Sequence, residues 1–293
     1  MRYDTSTFTW GAELELGDIP RDFKIPEHLG RWDQSETEIL NLREPYAGRA
    51  SDPQGIDPPM GGEINTRPTR SMQEQVDRIW EILEMFTQMG HPPTNCHIQA
   101  LHIHCHVPGL TSDVEGLRSL TRYIKTNQDV MTKAVHGTTY DSRMKLQPGG
   151  ALTYTGHMRN MPDWYCDNIC TAKDFEDFIR LHCTGKDAKS MGRPLRYVVN
   201  TYNLKHTQTV EFRAFVQTLV LKRLQSAFEI TRAFMDSALN GGPSILEHLA
   251  AHPEWEFELF QYNPYHHEAW AKTKWPKERG QKNRVFIPPE NLE

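Results

Sequence analysis

The chain has 293 residues, of which 38% are hydrophobic and 24% charged, with 19 glycines and 19 prolines. This composition is typical of a globular protein and excludes collagen-like, coiled-coil and largely disordered chains. A net charge of -5 argues against non-specific nucleic-acid binding, although it does not exclude a local basic groove.

The predicted elements follow one another without a regular alternation of strands and helices. The first half of the chain predicts strands over Thr7–Leu16 and Gly62–Thr66, a helix that follows a capping box at Ser71, a strand over His97–Val107, and a helix that follows a second capping box at Ser112. The second half predicts a strand over Ala151–Thr155, a helix from Thr171, and strands over Leu195–Leu204 and Thr207–Phe215. The longest predicted helix then runs from about Gln217 to Leu239, and a short helix follows Pro243. This order disfavours a doubly wound parallel sheet. We expect an α+β fold, with a mainly antiparallel sheet and helices packed on one face.

Loops and a tail complete the predicted organisation. The proline- and glycine-rich stretch Arg43–Gly62 predicts a long loop, which in a compact domain is usually functional or disordered. We expect one domain over 1–252 and a C-terminal extension over 253–293, rich in proline and aromatic residues, that packs on the domain or on a partner. The aromatic tail also suggests an interface, such as that of a homo-oligomer.

The sequence predicts a cytoplasmic protein. No apolar run reaches the ~18 residues that a membrane span requires, and the first residues carry no apolar signal-peptide core. The five cysteines are an odd number, and Cys166 and Cys170 lack the spacing and the second pair of a zinc knuckle. We therefore interpret the cysteines as reduced thiols.

The first strand carries two carboxylates on one face. Side chains alternate between the faces of a strand, so Glu13 and Glu15 share a face and lie ~7 Å apart. At an effective dielectric constant of 20 their repulsion is about 2.4 kcal/mol, which a cation beside them would remove. Carboxylates favour Mg²⁺, Mn²⁺ or Ca²⁺. The alternative is a solvated outer face.

The third predicted strand carries three imidazoles on one face. His102, His104 and His106 alternate with apolar residues. One histidine on a strand is most often structural, but three on one face indicate a metal site or hydrogen bonds to phosphate.

The last predicted strand and a glycine-rich segment add further charged positions. Glu211 and Arg213 share a face of this strand. One interpretation is a metal-binding carboxylate beside an arginine that binds phosphate. The alternative is a surface ion pair. Glu63 follows Gly61 and Gly62. If these strands are neighbours, the sheet presents one polar face suited to a metal ion.

Six segments in the same order resemble the amidoligase branch of the glutamine-synthetase-like carboxylate–amine ligases, and more distantly the glutamate–cysteine ligases. They are GAELEL (11–16), RWDQSETEI (31–39), GGEINTRP (61–68), LHIHCHV (101–107), RYVVNTYNL (196–204) and TVEFR (209–213). Walker A and G-x-G-x-x-G phosphate loops are absent from the sequence. The resemblance implies an antiparallel, curved sheet whose concave face holds ATP and divalent metal ions.

The resemblance also implies roles for individual residues. The implied metal ligands are Glu13, Glu15, Glu63, His102 and Glu211. His104 and Arg213 are implied to contact ATP, and Arg196 and Asn200 to contact the nucleotide or the substrate. The implied catalytic residues are Arg213, Glu63 and Asp33, with Asp33 and Ser35 in a D-x-S segment near substrate or metal. The family usually has two strand histidines, so the pair could be His104 and His106, and all three remain candidate ligands. Arg67 and Arg143 are further candidates for anion binding.

The resemblance implies an ATP-dependent ligase that uses Mg²⁺ or Mn²⁺. A carboxylate attacks the γ-phosphate of ATP to give an acyl phosphate, and a neutral amine then displaces phosphate to form an amide. The expected partners are a small-molecule or peptide carboxylate and an amine donor, with a modified nucleobase not excluded as a substrate. No membrane partner is expected.

Three other functions stay open at this point. The first is an ATP-independent metalloenzyme that binds Zn²⁺ or Fe²⁺ through His102, His104 and His106. The second is a phosphagen-kinase-like enzyme, whose product would be a phosphorylated guanidine rather than an amide. The third is a binding or scaffold protein without activity on this fold.

Overall fold

The computed structural model describes residues 2–19, 25–33, 60–88, 100–136, 160–183, 197–215 and 221–255. Several sequence predictions lie outside these residues: the strand over Ala151–Thr155, the loop as far as residue 59, the extension beyond residue 255, and the positions Ser35, Arg143 and Arg196. In the described part of the chain, no helix is long and apolar enough to cross a membrane.

The centre of the fold is a six-stranded sheet in the order β2-β3-β1-β4-β6-β5. The strands are β1 (Thr9–Ile19), β2 (Gly30–Asp33), β3 (Met60–Thr66), β4 (Ala100–His106), β5 (Val199–Asn200) and β6 (Thr209–Phe215). Every neighbouring pair is antiparallel. The predicted α+β class and antiparallel sheet are therefore confirmed.

Helices cover the apolar face of this sheet. They are α1 (Met72–Gln88), α2 (Val114–His136), α3 (Asp163–Ile169), α4 (Phe175–His182), α5 (Leu221–Asn240) and α6 (Ile245–Ala251). Leu14, Ile103 and Phe212 are fully buried beneath them, and the Phe212 ring packs edge-on against Phe234 of α5 with centroids 5.3 Å apart. The alternation of apolar and polar residues in the strands thus separates a packed face from a polar one.

A buried glutamine fastens α1 to the edges of β1 and β3. Gln75 is fully buried, and its Nε2 donates to the carbonyls of Trp10 at 2.8 Å and Arg67 at 2.6 Å. Its Oε1 accepts from the Thr66 hydroxyl at 2.7 Å, and the Thr66 oxygen accepts from the N–H of Ala12 at 2.8 Å. This network gives the N–H of Ala12 its partner and adds a second donor to the carbonyl of Trp10, which also accepts from the Thr69 N–H at 2.9 Å.

Some predicted helix starts are shifted. Ser71 caps α1 as expected, accepting from the Glu74 N–H at 3.2 Å. The cap of α2 is Asp113 rather than Ser112, because the Asp113 carboxylate accepts from the Gly116 N–H at 3.0 Å while Ser112 ends a short 3-10 helix. Asp174, not Thr171, caps α4.

The largest errors concern short elements. Within the described residues from 197 onward, the strand predicted over Leu195–Leu204 is reduced to the two residues of β5, followed by a 3-10 helix over Tyr202–Lys205. Strand β2 and helix α3, with 4 and 7 residues, were not predicted. Elements of this length carry too few repeats for periodicity to show. Within the described residues the longest helix is α2, with 23 residues against 20 in α5.

Candidate metal centre

Strand register gathers acidic and imidazole residues on the polar face of the sheet. Glu13 of β1 lies directly opposite His102 of β4, and His104 lies opposite Glu211 of β6. Directly opposed residues of antiparallel strands share a sheet face. Three strands that are distant in sequence therefore place these four residues on one surface.

Glu13, His102 and Glu211 form a compact set of candidate ligands. One ligand atom from each residue lies within 4.8 Å of the other two. The Nδ1 atom of His102 is 3.0 Å from Glu13 Oε2 and 3.4 Å from Glu211 Oε1. The three side chains thus converge on one small volume between β1, β4 and β6.

The three ligands differ in their access to solvent. The side chains of His102 and Glu211 are 1% and 2% exposed, whereas that of Glu13 is 20% exposed. A cation would therefore reach the set from the side of Glu13, with the other two ligands already held in the protein.

Both carboxylates are ionised at neutral pH. Burial raises the pKa of Glu13, but the adjacent imidazoles of His104 and His102 outweigh it and hold that pKa well below its usual range. Burial likewise raises the pKa of Glu211, and the Arg213 guanidinium and His102 outweigh it, so that this pKa is also lowered. The carboxylates need lose no proton to bind a cation.

A β-bulge brings Arg213 beside the ligands. Leu101 and Ile103 are two positions apart on β4, but their partners on β6, Phe215 and Phe212, are three positions apart, which defines the bulge. The Arg213 Nη1 atom contacts Glu211 Oε1 and lies 3.3 Å from His102 Nδ1. The bulge therefore adds a buried guanidinium to the candidate site, next to its most buried carboxylate.

The second oxygen of Glu211 is held by two amides. Asn200 Nδ2 donates to Glu211 Oε2 at 2.7 Å, and Asn203 Nδ2 donates to the same oxygen at 2.6 Å. The resemblance placed Asn200 beside ATP, whereas in this structure its amide contacts a candidate metal ligand. Sequence reasoning missed Asn203, because Asn200 ends β5 and Asn203 lies in the 3-10 helix that follows, so no single period connects them.

The three strand histidines occupy different environments. His104 Nε2 lies 2.9 Å from Glu13 Oε1, and His104 Nδ1 lies 2.9 Å from the Thr209 hydroxyl. Burial lowers the pKa of His104, but the Glu13 carboxylate outweighs it and the pKa is raised. His106 is half-buried and opposed by Thr9 and Thr209, away from Glu13 and Glu211 in the register.

Three predicted acidic residues occupy adjacent register positions on the same sheet face. Glu15 is opposed by Glu63 of β3, and Glu63 is opposed by Asp33 of β2. Their side chains lie outside the described part of the structure. Among the candidate anion-binding residues, Arg67 is exposed at the end of β3, with its carbonyl bound by Gln75 and Arg78.

The donor set fits a divalent cation. Two ionised carboxylates and one imidazole suit Mg²⁺ or Mn²⁺, and imidazole also suits Zn²⁺ and Fe²⁺. Glu211 is further supported by the two asparagine amides, as metal ligands commonly are by outer hydrogen bonds. Comparison of the chain with protein-family models and with curated protein sequences finds no match.

Proposed function

We propose that this protein is an ATP-dependent carboxylate–amine ligase that forms an amide through an acyl phosphate and uses Mg²⁺ or Mn²⁺. The observation that carries the proposal is the convergence of Glu13, His102 and Glu211 on one sheet face, with the Arg213 guanidinium in contact with Glu211. Carboxylates and an arginine together suit a cation bound to a polyphosphate.

Each group has a distinct role in the proposed reaction. Glu13 and Glu211 hold the cation, and His102 lies between their carboxylates. A bound divalent cation would spread the negative charge of the transferring phosphoryl group. Arg213 donates hydrogen bonds to the phosphoryl oxygens from its position beside Glu211. His102, Glu211 and Arg213 are buried in the protein, and exclusion of water from the site would protect an acyl phosphate from hydrolysis.

The proposed substrates are a small-molecule or peptide carboxylate and an amine donor. Glu15, Glu63 and Asp33 extend the polar face across β1, β3 and β2, and we assign to them cation binding and contacts near the substrate.

Product analysis tests the proposal. The purified protein is incubated with ATP, Mn²⁺ and a panel of acids and amines, and ADP, phosphate and coupled products are measured by mass spectrometry. A ligase yields ADP, phosphate and an amide of matched mass, and Glu211→Gln abolishes all three while Glu176→Gln, a change of an exposed residue of α4, does not. ADP with a phosphorylated guanidine, and no amide, would instead indicate a kinase.

Two contacts favour a second candidate, an ATP-independent metalloenzyme. His102 and His104 both contact Glu13, and two imidazoles with one carboxylate are the ligands of non-haem Fe²⁺ enzymes. Elemental analysis of the purified protein distinguishes the two. Stoichiometric iron or zinc that resists dialysis, without nucleotide binding, would support the metalloenzyme and contradict the ligase.

A further inference from the structure

The two oxygens of Glu211 have different partners. Its Oε2 atom accepts from the amides of Asn200 and Asn203, at 2.7 and 2.6 Å. A carboxylate oxygen has two lone pairs, so these two donors fill the hydrogen-bonding capacity of Oε2. The Oε1 atom accepts from Arg213 Nη1 and lies 3.4 Å from His102 Nδ1, so the guanidinium occupies only one of its two lone pairs.

The amide of Asn200 is fixed in its orientation. Its Oδ1 atom accepts from the Tyr202 N–H at 3.1 Å, which leaves Nδ2 to donate to Glu211. Asn203 lies in the 3-10 helix that follows, and its carbonyl accepts from the N–H groups of His206 and Thr207 at 3.1 and 2.9 Å. Both amides are therefore presented by one short segment that runs from the end of β5 into the 3-10 helix.

A buried histidine anchors this segment to helix α4. The Thr201 hydroxyl lies 3.0 Å from Nε2 of His182, which is 1% exposed. The Tyr165 hydroxyl of α3 donates in turn to the carbonyl of His182. Because Thr201 ties this segment to α4, and Tyr165 ties α4 to α3, withdrawal of the asparagine amides from Glu211 is opposed by a buried hydrogen bond.

We infer that Asn200 and Asn203 are positioning residues that restrict Glu211 to binding a cation through Oε1 alone, and that they thereby select Mg²⁺ or Mn²⁺ over Ca²⁺. Ca²⁺ takes six to eight oxygen ligands and often binds a carboxylate through both oxygens, whereas Mg²⁺ requires six ligands in octahedral geometry. Bidentate binding at Glu211 would cost two hydrogen bonds. This inference rests on the cation site of the proposed function and is independent of its ATP chemistry.

Asn203 is the residue to change, because Asn200 also supports the backbone of the segment. Asn203→Ala removes one donor, and Asn203→Leu removes it while filling the space. Tyr202→Phe is the matched control, since it lies in the same segment and loses only a hydroxyl. Thermal unfolding of each variant establishes that it is folded.

The experiment measures Mn²⁺ affinity by electron paramagnetic resonance and Ca²⁺ affinity by displacement of Mn²⁺. We expect the ratio of Mn²⁺ to Ca²⁺ affinity to fall by about tenfold in both Asn203 variants, the scale of outer-shell effects on metal sites, and to stay within twofold in Tyr202→Phe. If the wild type binds Mn²⁺ but the ratio is unchanged in folded Asn203 variants, the role of the amides in metal selection is overturned and the cation site itself is not. A wild type that binds no Mn²⁺ would overturn the cation site as well.

Discussion

The Nδ1 atom of His102 lies 3.0 Å from an oxygen of Glu13, on the adjacent strand and directly opposite in register. This pair links the carboxylate motif near the start of the chain to the histidine strand 89 residues later. It also places the more exposed ligand, Glu13, next to a buried one. The candidate site is therefore built at the centre of the sheet, where strands β1 and β4 meet.

Glu13→Gln should weaken Mn²⁺ binding by at least about tenfold, because it removes the negative charge of one of two carboxylate ligands while keeping the size of the side chain. Direct titration with Mn²⁺ measures the effect. Glu176→Gln, on the exposed surface of α4, should bind as the wild type does. Equal affinity in Glu13→Gln and the wild type would remove Glu13 from the site.

Gln75→Leu should lower the free energy of unfolding by about 3 kcal/mol, since it removes three side-chain hydrogen bonds, to the carbonyls of Trp10 and Arg67 and to the hydroxyl of Thr66. Urea denaturation measures the loss. Gln73→Leu provides the control on the exposed side of the same helix and should change stability by less than about 0.5 kcal/mol. A loss in Gln75→Leu no larger than that in Gln73→Leu would show that the hydrogen bonds of Gln75 contribute little to the free energy of unfolding.

The sequence could predict which residues of a strand share a face, but not which strands are neighbours. Alternation alone pairs Glu13 with Glu15 and Glu211 with Arg213, because the two-residue period of a strand is local. The contact between Arg213 and His102 depends on a bulge in the pairing of β4 with β6, which is a property of two strands and not of either sequence.

Short elements limited the prediction in a different way. Asn203 lies in a 3-10 helix where a continuous strand over Leu195–Leu204 was expected, so its amide was not connected with Glu211. Likewise, Ser112 and Asp113 both suit a helix cap, and only the preceding 3-10 turn decides between them.

Arg213→Lys should strongly lower ATP turnover, because lysine keeps the positive charge but lacks the planar fork that binds two phosphoryl oxygens. The Arg213 side chain contacts Glu211, so the variant also tests whether the positive charge must lie in contact with that carboxylate. Steady-state kinetics with ATP and Mn²⁺ measure the change, with Arg180→Lys on the exposed face of α4 as the control. A wild-type rate in Arg213→Lys would exclude Arg213 from phosphoryl transfer.

His182 should make the protein less stable in acid. Burial lowers the pKa of His182 from 6.5 to about 3, so in this range the unfolded chain binds a proton that the folded protein does not. Stability is therefore fully present above pH 6.5 and falls as the pH drops towards 3, by up to about 1.4 kcal/mol per pH unit. Urea denaturation of the wild type and His182→Gln between pH 3 and 6.5 measures how steeply the free energy of unfolding of each depends on pH. The same dependence in both proteins would show that the folded protein binds a proton at His182 as readily as the unfolded chain does.

The central claim is that a cation held by Glu13 is needed for ATP to bind. Calorimetric titration with a non-hydrolysable ATP analogue, in the presence of Mg²⁺ or of a chelator, tests this claim most directly on the wild type and Glu13→Gln. We predict binding only to the wild type with Mg²⁺, and loss of binding with either the chelator or the substitution. Binding that survives both changes, or absent binding in a protein that retains zinc, would contradict it.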